Sequence, residues 1–400
     1  MEKEGSRQGN LVKCSLNCLH NERGMALVIS LLMLAIVTTI GMASIMATST
    51  ELHLGGNKRV TAETLYVAEA GVQHALRELK GQDFDVVVAA NVGQSWITVS
   101  DFNGTPGMGY TVKVSNTSDS GNVADTNSIF VTSIAVNPSG GSKTIEAEVS
   151  NPALTLPINA SMSVSGNFSR IKFSGNATIN GDLPADETPV VGSDCAEHKA
   201  GISVDSMDTY TDIDVKKHAG DNITGIGLNP SIQLRPSDMS PTMVQNIASL
   251  LGEKADQTII VDDKKVNNDD VVWGTVDDPQ VTVIMMTGED VRMKFNGNTT
   301  GYGILIINSE TSKKGRVEFN GNFEWNGLIV ITGDAGFDRI KANGNDSITG
   351  GIILANTNED TSVENFRIKS NGNTSIQYSC KALTNAIGHA PLILNSWHEL

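Results

Sequence analysis

The longest apolar run in the chain, Met25 to Ala47 (MALVISLLMLAIVTTIGMASIMA), holds 23 residues and no charge. At the helical rise of 1.5 Å per residue such a run spans the ~30 Å hydrocarbon core of a bilayer. The pattern then changes to three- and four-residue steps. Leu65, Ala68, Val72, Ala75, Leu76 and Leu79 form an apolar stripe, with Glu63, Glu69, His74, Arg77 and Glu78 on the other faces. This predicts one helix from Met25 to about Lys80, stopped by Gly81, with a weak point or kink at Gly55-Gly56-Asn57 and His74 at the surface. Strand-like runs follow at Val86 to Ala89, Gly109 to Val114, Ser128 to Ala135 and Lys143 to Val149, separated by polar and Gly-rich loops. They predict an antiparallel sheet laid over the stripe.

The second half of the chain repeats itself. RIKFSGN at Arg170, RMKFNGN at Arg292, RVEFNGN at Arg316, RIKANGN at Arg339 and RIKSNGN at Arg367 align without gaps, the last four at spacings of 24, 23 and 28 residues. An apolar strand opened by Gly303, Gly327 or Gly351 follows the middle copies. A polar-edged strand, a turn at Gly and a buried strand within a period in the twenties is what one coil of a parallel β-helix needs. Period-two alternation directs Met293, Phe295, Val317 and Phe319 inward and the Arg and Lys positions outward. The Gly of each NGN is expected at positive φ, and the flanking Asn are expected to bond up and down the stack. Strands about 4.8 Å apart would bring Arg292, Arg316, Arg339 and Arg367 into one like-charged row, a candidate binding row for an anionic polysaccharide or an acidic neighbouring subunit. Residues from Gly181 lack a sustained period and read as an insertion. Ser240-Pro241 then starts a helix carrying Val244, Ile247, Leu250 and Leu251, expected to cap the open end of the coil.

Ahead of the apolar run lie 24 residues with Lys3, Arg7, Lys13 and Arg23 against Glu2, Glu4 and Glu22, so this end is expected in the cytoplasm and the bulk of the chain outside. The run is too long for an ordinary secretory signal and passes into a polar helix with no small-residue cut. ERGMALVISLL followed by TSTELHLGGNKRVTAETLYVAEAGVQHALREL, about Glu22 to Leu79, resembles the PilX-type minor pilins of type IV pili. The matching features are Arg23-Gly24 before Met25, the E-x-x-x-G-G-N run at Glu51 to Asn57, and A-E-A-G at Ala68 to Gly71. The resemblance implies cleavage by a prepilin peptidase after Gly24, leaving Met25 as a methylated first residue. It also implies a lollipop of long helix and small α+β head, assembling with other pilins on an inner-membrane platform. Two features depart from the major-pilin pattern: the leader is long, and Ile29 stands where major pilins carry Glu at the fifth mature position. That fits a low-abundance or tip subunit.

Composition narrows the chemistry. The 400 residues carry a formal charge of -16, which disfavours a nucleic-acid partner, and 39 Gly with 35 Asn suit many turns and short strands. No Gly-rich phosphate loop, HExxH, G-x-S-x-G or paired His/Cys cluster is present, so no catalytic, cofactor or metal residues are assigned. Asp334, Asp338, Asp346 and Asp360 fall in loops, and the Asp262 to Asp270 run lacks the Gly and terminal Glu of a calcium loop. Of four Cys, Cys14 and Cys18 precede the cut, leaving Cys195 and Cys380 as a possible disulfide after export.

The reading is a mainly β chain with one long amino-terminal helix, a pilin-like α+β head and a right-handed parallel β-helix. Its divisions are a leader (1–24), the helix (25–80), a sheet region (81–155), the β-helix (156–385, with an irregular insertion at about 181–256) and a tail (386–400). The expected function is that of a non-enzymatic minor pilin, inserted in the inner membrane and then carried into an extracellular filament. The alternatives are a membrane-anchored β-helix enzyme acting on polysaccharide, and an adhesin outside any filament.

Overall fold

Helix α1 (Glu22–Leu79) runs for 58 residues in a computed structural model of the chain. The structure describes residues 22–119, 121–124, 127–156, 158–166, 168, 170–173, 177–188, 198–213, 222–235, 239–262, 266–269, 271–288, 291–309, 315–333, 337–357, 367–370 and 373–400. The helix passes unbroken through Gly55-Gly56-Asn57, where a weak point or kink was expected, so the two glycines cost it propensity without ending it. Its second half follows the apolar stripe: Thr64, Val67, Ala68, Val72, Ala75 and Leu79 are buried, and Leu65 and Leu76 pack at the edge.

The expected strand at Val86 to Ala89 is instead helix α2 (Phe84–Ala90). Its consecutive valines favour a strand, but Asp83 accepts hydrogen bonds from the Asp85 and Val86 N–H groups and caps a helix, burying Phe84, Val87 and Val88. The head sheet continues with β1 (Ile97–Val99), β2 (Gly109–Ser115), β3 (Ser128–Val136) and β4 (Ser142–Ser150), all antiparallel. Val112, Val114, Ile129, Val131, Ile145, Ala147 and Val149 alternate onto the face that meets α1.

From Ala160 the chain winds into a parallel solenoid. Its first strands are β5 (Ala160–Ser165), β6 (Arg170–Phe173), β7 (Thr178–Asn180), β8 (Ala200–Val204), β9 (Ile223–Thr224) and β10 (Ile232–Leu234), with α3 (Met207–Asp212) between β8 and β9. Strands at 200–204, 223–224 and 232–234 therefore lie within the stretch expected as an irregular insertion. After α4 (Pro241–Glu253) come β11 (Gln257–Val261), β12 (Val266–Asp269), β13 (Val272–Trp273), β14 (Gln280–Met286), β15 (Arg292–Asn296) and β16 (Asn298–Asn308). Then follow β17 (Gly315–Gly333), β18 (Phe337–Gly344), β19 (Ser347–Asn356), β20 (Arg367–Ser370) and β21 (Ser375–Tyr378).

These strands stack on three faces. One face runs β10-β8-β5-β19-β17-β16-β14-β11, the second β9-β7-β21-β19-β17-β16-β13, and the third β6-β20-β18-β17-β15-β12. The chain enters this stack in its middle, at β5. It builds outward to β10, crosses to the far end through α4, and returns coil by coil until β19 lies against β5. Helix α4 thus packs along a flank instead of capping an end: Val244, Ile247, Ala248 and Leu251 bury against Val281, Val283, Ile304, Ile306, Leu328 and Val330. Helix α5 (Cys380–Gly388) adds Leu383 and Ala386 to the same layer.

The interior holds aliphatic columns and an aromatic group. Phe295 stacks on Phe319 at 5.1 Å, Phe323 on Trp325 at 6.2 Å, and Trp273 meets Phe295 and Trp325 edge-on. Gly301 admits the Trp325 ring: a Cβ there would stand 2.0 Å from it. The corners turn at Gly303, Gly327 and Gly350, all at positive φ and in register, so Gly350 takes the place expected for Gly351. In the NGN turns Gly297 and Gly321 have positive φ, whereas Gly344 does not.

The last fifteen residues, expected as a tail, finish α5 and form β22 (Ile393–Glu399). This strand returns to the head and pairs antiparallel with β4, giving the sheet order β1-β2-β3-β4-β22. Head and solenoid meet around the end of α1. The Gly81 N–H donates to the Gly388 carbonyl at 2.6 Å, Asn151 Nδ2 to the Ile387 carbonyl at 2.9 Å, and Lys80 lies 3.9 Å from Asp256.

Candidate functional site

The first half of α1 has no packing partner in the chain. Met25 is 60% exposed, Leu34 62% and Met46 70%, and α1 is the one helix among the described residues long and apolar enough to cross a membrane. Five of its hydroxyls bond back to their own helix. Ser30 donates to the Leu27 carbonyl, Thr38 to Leu34, Thr39 to Ala35, Thr48 to Ser44 and Thr50 to Met46, at 2.9 to 3.0 Å. Such back-bonding leaves these hydroxyl donors at no cost in lipid or in an apolar protein layer. Gly24 and Met25 lie two and three residues from the start of α1, at the free end of this apolar rod, and Ile29 is exposed one turn further.

Where α1 enters the head, the sequence uses a small residue. Gly71, the last residue of A-E-A-G, lies where a Cβ would stand 2.2 Å from Ser133 Oγ and 3.0 Å from the Tyr110 ring, so only glycine lets helix and sheet approach this closely. Asn137 Nδ2 donates to Thr64 Oγ1 at 2.9 Å, tying β3's end to the helix. His74, expected at the surface, has only 24% of its side chain exposed and is linked through Nδ1 to the Tyr110 hydroxyl at 2.8 Å. Burial raises the Tyr110 pKa, partly opposed by Arg77.

The expected Arg row exists in the backbone register and is one member longer. Arg292 is opposite Arg316, Arg316 opposite Arg339, Arg339 opposite Arg367, and Arg367 opposite Arg170 of the first copy. Two residues along, Lys294, Glu318, Lys341, Lys369 and Lys172 make a second row. The described side chains of the row are Arg292 and Arg316, both half-buried. Glu318, only 4% exposed, accepts from Arg292 and lies 3.4 Å from Lys294 Nζ. Burial alone would raise its pKa, but the bonds and charges of Arg292 and Lys294 outweigh that and hold the carboxyl below its ordinary value.

The Asn ladders are present as well. Asn320 Nδ2 donates to Asn296 Oδ1 at 3.3 Å, Asn322 to Asn298 at 2.9 Å, and Asn373 to Asn345 at 3.1 Å. They tie successive coils together at the corner and have a structural role.

Cys380 opens α5 and is disulfide-bonded, while Cys195 lies outside the described residues. Both flanks of Cys380 are held by Glu187, which accepts from Ser379 Oγ and from the Lys381 N–H at 3.2 Å. Of the four loop aspartates, Asp334 and Asp360 also lie outside the described residues, Asp338 is an added residue at a register shift in β18, and Asp346 is buried. One Asp346 oxygen accepts from Thr374 Oγ1 at 3.4 Å; the other, Oδ1, has no bonding partner. Burial pushes its pKa up to about 6 against the opposing bonds from the Phe323 backbone and Thr374. Residues 266–269 of the acidic run are strand β12, paired with β15. Among the described residues no three His, Cys, Asp or Glu side chains are grouped to hold a metal ion.

A family model described as PilX N-terminal matches residues 23–73, so the apolar rod and its entry into the head form a PilX-type pilin amino-terminal domain, carried in front of a β-solenoid. No curated protein sequence matches the chain. Among solved structures, the competence-associated pilin ComZ from Thermus thermophilus is similar over 85% of this chain and 98% of its own, at 13% identity and a TM-score of 0.23. The ice-binding protein LeIBP from an Arctic yeast is similar over 58% of this chain and 94% of its own, at 10% identity and a TM-score of 0.21.

Proposed function

We propose that the chain is a minor pilin: a prepilin peptidase cuts it between Gly24 and Met25, and the Met25 to Ala47 rod then moves from the inner membrane into the helical core of a type IV pilus or related filament. The observation that carries this reading is the division of α1. Its first half presents apolar side chains all round, with the Ser30, Thr38, Thr39, Thr48 and Thr50 hydroxyls bonded to their own helix, and its second half is fixed to a sheet through Gly71. A rod of this kind needs an apolar neighbourhood outside its own chain, first lipid and then other pilin helices. The PilX-type match over residues 23–73 supports the same reading.

The mechanism is packing, with the solenoid held at the end of α1 opposite the rod and so carried clear of the filament core. Ile29 offers no carboxylate to a neighbour's amino terminus, which suits a subunit present in few copies. Mass spectrometry of the native amino terminus, with and without the prepilin peptidase, tests the proposal together with a blot of sheared filaments. A methylated Met25 terminus and recovery in the sheared fraction are expected. An uncut chain that stays in the membrane fraction of piliated cells would overturn it, and release of unsaturated sugars by the purified chain would favour a polysaccharide-cleaving enzyme.

A further inference from the structure

The third face of the solenoid has a charge opposite to that of the chain. Its strands, β12, β15, the first part of β17, β18, β20 and β6, contain nine of the 29 Lys and Arg residues but only Asp269, Glu318 and Asp338 of the 45 acidic ones. The rest of the molecule therefore carries an acidic excess larger than the net charge of -16. The basic positions are ordered: each strand places Arg and Lys two residues apart, roughly 7 Å along the strand, and neighbouring strands repeat the pair about 4.8 Å away. Glu318 neutralises one end of this array by drawing in Arg292 and Lys294. On the next three strands, β18, β20 and β6, the register positions are Arg339 and Lys341, Arg367 and Lys369, and Arg170 and Lys172, with no acidic residue in either row. A third row two residues further runs Asp269, Asn296, Asn320 and Asn343, with Asn320 Nδ2 donating to Asn296 Oδ1.

We propose that this double row is a binding strip for a linear carboxylated polysaccharide, a polyuronate, lying across the strands with its carboxylates spaced along the rows. A uronan presents one carboxylate per sugar at a repeat close to the strand spacing, and its hydroxyls suit an adjoining row of amides. The strip is two register positions wide, too narrow to follow a duplex, which would also meet the acidic remainder of the molecule. Single-stranded nucleic acid is bound on aromatic platforms, and no aromatic residue occupies either basic row. The inference goes beyond filament incorporation and does not depend on it.

The test uses the full chain in detergent micelles over immobilised polygalacturonate, with neutral dextran and single-stranded DNA as comparison surfaces. The wild type is expected to bind polygalacturonate more tightly than DNA at equal ionic strength, not to bind dextran, and to weaken steeply as salt rises. Replacing Arg339, Lys341, Arg367 and Lys369 together by Gln should weaken binding at least tenfold. Replacing Lys58, Arg59, Arg77 and Lys254 by Gln, an equal loss of charge elsewhere, should leave it within twofold. If the fourfold face variant does not fold, Lys341→Gln with Lys369→Gln should still reduce the slope of log affinity against log salt by roughly 1.4 to 1.8. Equal binding by face and control variants, no retention on polygalacturonate, or preference for DNA would each overturn the proposal. So would self-association of the wild type that the face variant loses, because the strip would then serve an acidic surface of a second copy.

Discussion

Gly71 of α1 lies directly over Ser133 of β3, so close that a methyl group on the glycine would stand 2.2 Å from Ser133 Oγ. That hydroxyl is itself buried without a bonding partner. The contact sets how near α1 lies to the head sheet, and it yields a sharp test. Gly71→Ala should destabilise the head by about 1–3 kcal/mol through overpacking, although alanine is the better helix former. Ser133→Ala, which removes an unsatisfied buried oxygen, should be neutral or stabilising. In the double variant part of the loss should return. Thermal unfolding of the four proteins measures the coupling, and additive effects would disprove the contact.

Gly327 should tolerate still less. Its φ is +132°, and a Cβ there would meet the Gly303 carbonyl oxygen at 2.1 Å and Ala386 of α5 at 2.9 Å. Gly327→Ala thus combines backbone strain with a clash against the neighbouring coil, and a loss of about 3 kcal/mol or more is expected. Asn322→Ala, which removes one 2.9 Å ladder bond at an exposed site, should cost about 1 kcal/mol or less. Denaturant unfolding that ranks the two the other way would contradict the corner geometry.

Asp346 makes the solenoid sensitive to pH. Its folded pKa, raised to about 6 from 3.8, means that the native state holds this proton more tightly than the unfolded chain. Its contribution is therefore fully present below pH 4 and is lost as pH rises through 6, by up to about 3 kcal/mol at 1.4 kcal/mol per unit. Asp346→Asn keeps an acceptor for Thr374 and removes the titration. The variant should gain melting temperature relative to wild type at pH 8 and lose that advantage at pH 4. A constant difference across this range would show that the carboxyl does not titrate as described.

Cys380 should be found linked to Cys195. Glu187, eight residues before Cys195, is already bonded to both neighbours of Cys380, and the other two cysteines precede the proposed cut. Unreduced peptide mapping of the native protein should recover the 195–380 pair. Cys380→Ser should cost about 2–5 kcal/mol. A free thiol at Cys195 in native protein would exclude this pairing.

The sequence made some of this architecture readable because the same local pattern both repeats and packs. The five R-x-K/E-x-x-G-N copies gave the Arg register and the Asn ladder, since identical spacing on stacked strands leaves little choice of pairing. The stripe from Leu65 to Leu79 found the helix face for the same reason. What stayed hidden depends on residues far apart. Nothing in RIKFSGN says that Arg170 continues the row after Arg367, or that Ile393 to Glu399, a mixed polar segment, completes the head sheet beside β4. Val86 to Ala89 misled because β-branched residues favour strands, while the deciding contact was one capping aspartate. His74 looked like a surface residue until Tyr110 arrived from β2, and α4's apolar side suits a flank as well as an end.

The seam between β5 and β19 sets the order in which the molecule can be completed. Met162 and Ile352 are partners although 190 residues separate them, so the earliest coil remains open until nearly all of the chain has emerged. A tandem array tolerates loss of a unit because each unit touches only its neighbours in sequence. Here one arm grows outward from β5 and the other returns from the far end, reached through α4, and must meet β5 at the right height, so removing any single turn between α4 and β19 would leave a gap or a collision at the seam. Length variation during evolution is thus expected in the loops that leave the corners, with the number of turns held constant.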